Sequence, residues 1–290
     1  MDIQKLLFAT RFDDLWFDAL QSLLSLKKVA LNHVVLLNVI ERQKVAMRRG
    51  VGYRKAEEIK LREIANIRFI DWAETLFELG MEVGVYIVVG SLVQQVISAV
   101  EKERVDLIVI GKECKSKIGR LFSGSDLAEI IRRANTPVLV YEYLSQNIRK
   151  AEKPLKRPLL AMDFSAASMR AIEFLLPIGE IVESVNIINV VSEKSLNSTS
   201  AMAVQKSRRE SRDQLEKIYD KLMEAGIMAR SHVYVGDPLD QIEKAARDCQ
   251  ATMIITGSTG KSRRAGGSLG RVPKGLFEKS VYPVLVIPPE

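Results

Sequence analysis

The chain repeats itself. Gly80, Gly90, Gly111, Gly124 and Pro137 recur as Gly226, Gly236, Gly257, Gly270 and Pro283, and the same interval separates every pair. A constant interval leaves no room for an insertion across the stretch these pairs span, so the chain is two copies of one unit. Whatever architecture one copy takes, the other must take as well. A length of 290 residues agrees with two domains, and a hydrophobic share of 47% suffices for a core in each.

Within a unit, apolar runs alternate with amphipathic stretches. In the first copy the runs are Leu6 to Ala9, Val34 to Val39, Leu107 to Ile110 and Val138 to Tyr141. Met81, Val83, Val85, Ile87 and Val89 alternate with other residues and predict a half-exposed strand. Between these lie helical patterns: Trp16, Ala19, Leu20, Leu23 and Leu24 on one face, and Val93, Val96, Ile97 and Val100 on another. Val45 to Leu79 reads as mostly helical and highly charged, with breaks at Gly50 and Gly52.

The second copy repeats the order. Strands are expected at Leu159 to Met162, Val185 to Val191, Ile227 to Val235, Met253 to Thr256 and Val284 to Ile287. Helices are expected around Ala171, Ile172 and Leu175, around Val204, Leu215, Ile218 and Leu222, and around Leu239, Ile242 and Ala246. This alternation predicts an α/β fold: two similar open, parallel five-stranded sheets with helices on both faces, Rossmann-like, joined by right-handed crossovers. The expected domains are 1–144 and 159–290, with the basic, proline-containing stretch 145–158 as linker.

Other features exclude more than they assign. No apolar run approaches the roughly 18–20 residues that cross a bilayer, so no membrane partner is expected. Met1 to Lys5 leads straight into a strand without a signal-peptide pattern, and Cys114 and Cys249 lack metal or redox spacing. A reducing cytoplasm is the expected location. The net charge of +7 comes from Lys and Arg interspersed with Asp and Glu. It favours anionic ligands modestly and gives no reason to expect nucleic acid. His33 and His232 fall at or inside strands and read as structural. Gly260-Lys261-Ser262 looks like the tail of a P-loop, but Ile255 stands where its first glycine belongs. No residues are spaced as a metal cluster.

Ligands of open parallel sheets bind beyond the carboxyl ends of the strands, where the strand order reverses. Three loops of the second copy therefore matter. Asp163 follows the first strand, Asn189-Val190-Val191 ends the second, and Gly257-x2-Gly260-x9-Gly270-Arg271 follows the fourth. Gly257, Gly260, Gly266, Gly267 and Gly270 let backbone approach a ligand closely, and a loop that ends at a helix N-terminus suits a phosphate. Asp163 can accept a hydrogen bond from a base or ribose, or it can cap the next helix with Ser165. Lys261, Arg263 and Arg264 read as solvated side chains within reach of a phosphate.

Taken with the Val235-Gly236-Asp237-Pro238 turn and the Pro283-Val284-Leu285-Val286 ending, these loops resemble the universal stress protein family, and the resemblance spans almost the whole chain. It implies a tandem protein whose second domain holds an adenine nucleotide, ATP, ADP or AMP, with Mg as a companion that ATP can bring. Asp163 and the backbone of Val190 would hold the adenine, and Thr256 and Gly257 the ribose. Gly260, Gly270, Arg271 and Val272 would hold the phosphates. Arg271 stands where the family has Ser or Thr, and Pro273 removes a backbone N–H.

The first copy departs further, with Arg11 in place of Asp163 and Cys114 in place of Gly260, although Gly111, Gly124, Ser125 and Val39 keep the pattern. Guanidinium only donates, so Arg11 cannot replace a carboxylate acceptor. The family pairs its last strand with a counterpart. That implies an intrachain pseudo-dimer through Val138–Val140 and Val284–Ile287, with a homodimer of chains as a further level. Three functions follow: a nucleotide-binding sensor or regulator in a stress response, an interaction scaffold without nucleotide, and a slow ATPase. No placed base or metal-binding carboxylate supports the last.

Overall fold

The computed structural model describes residues 2–10, 12, 17–46, 52–112, 124–142, 153–192, 201–260 and 269–289. Arg11, Trp16, Gly50, Cys114, Lys261, Arg263, Arg264, Gly266 and Gly267 lie outside them, as does most of the expected linker. The chain divides into two compact units, Ile3–Tyr143 and Leu144–Glu290.

In the first unit β1 (Lys5–Thr10) leads through α1 (Phe17–Leu23) and the 3-10 turn Leu24–Lys28 to β2 (His33–Glu41). Then come α2 (Arg42–Val45), α3 (Lys55–Glu78), β3 (Glu82–Gly90), α4 (Leu92–Glu103), β4 (Leu107–Lys112), α5 (Gly124–Arg133) and β5 (Val138–Glu142). The second unit runs β6 (Pro158–Met162), α6 (Ala166–Leu175), the 3-10 turn Leu176–Ile181, β7 (Val185–Val191) and α7 (Ala201–Glu224). It finishes with β8 (Ala229–Val235), α8 (Pro238–Asp248), β9 (Met253–Gly257), α9 (Arg271–Lys279) and β10 (Val284–Ile287).

Within each unit all pairings are parallel, in the orders β3-β2-β1-β4-β5 and β10-β9-β6-β7-β8. The central strands carry unbroken apolar runs because both faces are covered: Leu6, Leu7, Phe8, Leu159, Leu160, Ile254 and Ile255 are fully buried. Each such side chain contributes about 1.5–3 kcal/mol. The outer strands β3 and β8 remain partly exposed, as expected of edges.

The duplication extends to backbone detail. Gly80 and Gly226 take φ of +72° and +77° after α3 and α7, where each helix ends in a left-handed residue. Arg104 and Gln250, both at φ 51°, end α4 and α8 in the same way. Phe12 and Phe164 sit left-handed, at φ 67° and 60°, in the turns after β1 and β6. A buried asparagine staples each first strand to the second: Asn38 Nδ2 donates to the Thr10 carbonyl at 2.9 Å and Asn189 Nδ2 to the Met162 carbonyl at 2.7 Å.

Candidate functional site

In the second unit the chain leaves β6 towards β7 and β8 on one side, then returns to place β9 and β10 on the other. The strand order therefore reverses between β6 and β9, and a crevice opens beyond their carboxyl ends. Asp163 follows β6 directly. Its Oδ1 accepts from the Ser165 N–H at 3.0 Å, and the Ser165 hydroxyl lies 2.6 Å from the same oxygen. Ser165 is the N-cap of α6, accepting from the Ser168 N–H at 3.3 Å. The two readings of Asp163 thus fall on different atoms. Oδ1 braces the helix cap, and Oδ2 has no hydrogen-bond partner among the described residues.

Oδ2 faces the loop from β9. A Cβ placed on Gly260 would sit 3.0 Å from it, so glycine lets this loop come right up to the carboxylate. The φ of Gly260 lies outside the left-handed region, so what glycine provides here is this close approach and not a special backbone conformation. Gly257 is needed for packing: its Cβ would lie 2.9 Å from both the Ala167 Cβ and the Ser168 nitrogen at the start of α6. Thr256 is buried in β9, its hydroxyl turned to the Gly257 carbonyl at 3.4 Å and its backbone paired with Val286 of β10. Val190 is half-buried and stands just past the last β6–β7 pair, Met162 with Asn189.

The loop returns on itself at its base, where the Gly270 N–H donates to the Ser258 carbonyl at 2.9 Å. Gly270 then N-caps α9 with no side-chain hydrogen bond, leaving the N–H groups of Arg271 and Val272 without a side-chain cap. α9 runs through Pro273 unbroken, since proline fits a first turn. Gly275 lets α9 cross close to α8, because a Cβ there would overlap Leu239 at 2.5 Å.

Sequence reading missed the partner of Arg271. Its Nη2 donates to Asp237 Oδ2 at 3.0 Å, while Asp237 Oδ1 accepts from the Leu239 N–H at 3.0 Å and caps α8. Burial pushes the Asp237 carboxyl up, but the Leu239 N–H and the Arg271 guanidinium outweigh it and leave it below the ordinary carboxylate range. The Asp-Pro pair after Gly236 signals the cap, but nothing local signals an ion pair across 34 positions. Asp163, Val190, Thr256, Gly257 and Gly260 gather around the β6/β9 crevice. Gly270, Arg271 and Val272 stand at the far end of the same loop, with the Arg271 side chain drawn to α8.

In the first unit the turn after β1 is filled differently. Phe12 is buried, with its ring centre 5.0 Å from Phe69 and 5.4 Å from Trp72, whereas Phe164 is half exposed.

The profile of the universal stress protein family matches residues 3–142 and again 154–288. The chain belongs to this family. As a universal stress protein with two domains, it is similar over its whole length to a universal stress protein from Archaeoglobus fulgidus. That structure superposes with a TM-score of 0.73 at 20% identity, covering 100% of both chains. A putative universal stress protein from Pseudomonas aeruginosa gives 0.69 at 19% identity, over 99% of this chain and 94% of that one. Universal stress protein MJ0577 of Methanocaldococcus jannaschii is 29% identical over 151 residues, which is 47% of this chain and 93% of that protein. A single-domain relative thus spans one of the two copies. No helix among the described residues of this universal stress protein is long and apolar enough to cross a membrane.

Proposed function

We propose that the second unit binds an adenine nucleotide and that the protein acts in a stress response as a nucleotide-dependent sensor or regulator. The observation that carries this reading is the Asp163 Oδ2 atom, an acceptor without a partner among the described residues, held at the strand-order reversal by a helix cap. A carboxylate fixed in this way is pre-organised for the donors of adenine or ribose. Gly260 keeps the space beside it open, a cradle that a Cβ would fill. The N–H groups of Arg271 and Val272 at the start of α9 supply the phosphate end, and the backbone beyond β6 at Val190 borders the base.

Among the described residues no cluster of His, Cys, Asp or Glu could hold a metal ion. The test is to denature protein purified without added nucleotide, identify released nucleotide by chromatography, and titrate ATP and AMP calorimetrically. No released nucleotide together with no measurable binding of either would overturn the proposal.

A further inference from the structure

The long helices α3 and α7 hold equivalent places in their units. Both have 24 residues, and the repeat aligns their buried positions: Ala65 with Ser211, Phe69 with Leu215, Trp72 with Ile218 and Leu76 with Leu222. The same register sets Arg62 against Arg208, Glu58 against Val204, and Ile87 against Val233.

In the first unit this arginine seals the outer edge of the sheet. The Glu82 N–H donates to the Asn32 carbonyl, so the even-numbered residues of β3 bond to β2 and the odd-numbered ones present their backbone groups outward. The outward carbonyl of Ile87 accepts from Arg62 Nη1. Arg62 Nε in turn donates to Glu58 Oε1 at 2.7 Å, and Glu58 also receives Lys55 and the Tyr53 hydroxyl.

The second unit has the arginine without the seal. Met228 accepts from the Val185 N–H at 2.8 Å and Gly236 donates to Val191 at 3.1 Å, so the even residues of β8 face β7. The backbone groups of Ala229, Ser231, Val233 and Val235 point outward, with no hydrogen-bond partner among the described residues. Val204 replaces the carboxylate, and Arg208 Nε, the atom that in Arg62 meets Glu58, is buried with no hydrogen-bond partner among the described residues. Arg212, one helical turn further along α7, is exposed and has no carboxylate partner among the described residues. With Leu215 it lines a groove of about 300 Å³ that follows Ser231, His232, Val233 and Tyr234 along the strand.

We propose that this edge docks an extended segment of a partner protein that carries two carboxylates in acid-x-acid spacing. A strand added to an open edge satisfies its backbone groups, and side chains set the choice of sequence. Alternate side chains on one face of an added strand repeat every ~6.6–6.8 Å. Residues four apart on a helix rise by ~6 Å. Two acidic residues separated by one other therefore match Arg208 and Arg212, and the first unit shows the contact that a carboxylate makes with this arginine.

The probe is a short fluorescein-labelled peptide alternating Glu and Val, compared with its Lys–Val counterpart on the full chain. The Glu peptide should bind and the Lys peptide should not. In amide-resolved NMR the outward amides of Ser231 and Val233 should shift while those of His232 and Tyr234 move little. Arg208→Ala and Arg212→Ala should each weaken binding about tenfold or more, the loss of one charge-assisted hydrogen bond. Val204→Glu supplies the missing carboxylate within the chain and should weaken binding by a similar factor. Val233→Pro removes an outward N–H but no bond to β7, a place where an edge strand tolerates proline. It should also weaken binding, with thermal melting confirming that each variant is folded. Equal binding of the two peptides, shifts spread evenly along β8, or full affinity in both folded arginine variants would overturn the proposal. So would sedimentation showing a chain dimer that Val233→Pro abolishes, since the edge would then pair with a second copy.

Discussion

Because the two oxygens of Asp163 do different work, two substitutions at one position should separate stability from binding. Asp163→Asn keeps an oxygen for the Ser165 N–H and hydroxyl, now at 3.0 and 2.6 Å from Oδ1, and turns the atom facing Gly260 from acceptor to donor. The brace of the α6 cap then survives as a neutral hydrogen bond, and the fold should lose no more than about 0.5 kcal/mol. Asp163→Ala removes the brace as well. A cap interaction of this kind is worth about 1 kcal/mol, or roughly 2–4 °C in melting temperature for a chain portion of this size. Both variants should lose nucleotide affinity by a similar factor. A hydrogen bond to a charged group contributes about 1.5–3 kcal/mol, so the dissociation constant should rise at least about tenfold. Calorimetric titration with ATP and AMP, paired with thermal denaturation of the ligand-free protein, reads both quantities. If Asp163→Asn binds nucleotide as tightly as the wild type, the carboxylate serves the helix cap alone and the assignment fails.

Three further outcomes are expected. Titration should give one tight nucleotide site per chain, because Arg11 and Cys114 replace the pair that meets as Asp163 and Gly260; two equally tight sites would contradict this. Arg271→Ala should weaken ATP binding at low salt and Asp237→Asn, which frees the guanidinium, should strengthen it. An exposed ion pair is worth only about 0–1 kcal/mol and yields readily to a phosphate, so unchanged affinity in both variants would make Arg271 a bystander. Gly257→Ala should destabilise the second unit by about 1–3 kcal/mol, measured by chemical denaturation, because its Cβ would meet the Ser168 backbone; wild-type stability would show that α6 shifts at little cost.

The strands were legible because buried parallel strands carry unbroken apolar runs, and Val185 to Val191 needed no adjustment at either end. The α3 region was less clear. Gly52 marks the break before it, but Ile59, Ile67, Ile70 and Phe77 lie on the exposed side of the helix and blur its periodicity. The 3-10 turns Leu24–Lys28 and Leu176–Ile181 went unread, Leu24 passing as part of the helix before it, since a tighter turn leaves no separate mark in an apolar pattern. At the site, residue types and spacings pointed to Asp163 and Gly260 singly, but their mutual contact depends on how closely two loops approach. The Arg271–Asp237 pair and the empty place beside Arg208 depend on tertiary register. The latter has meaning only beside its counterpart, the Arg62–Glu58 pair of the first unit.

The hydrogen bond from Gly270 to Ser258 has an evolutionary corollary. It fixes the two stems of the loop at one point, so β9 below it and α9 above it hold their positions whatever the intervening residues are. Lengthening such a segment costs little, about 0.6 kcal/mol for each doubling. The stretch between the stems is therefore an exchangeable cassette: its length and charge can be rewritten, and ligand preference with them, while selection on the sheet and its core stays undisturbed.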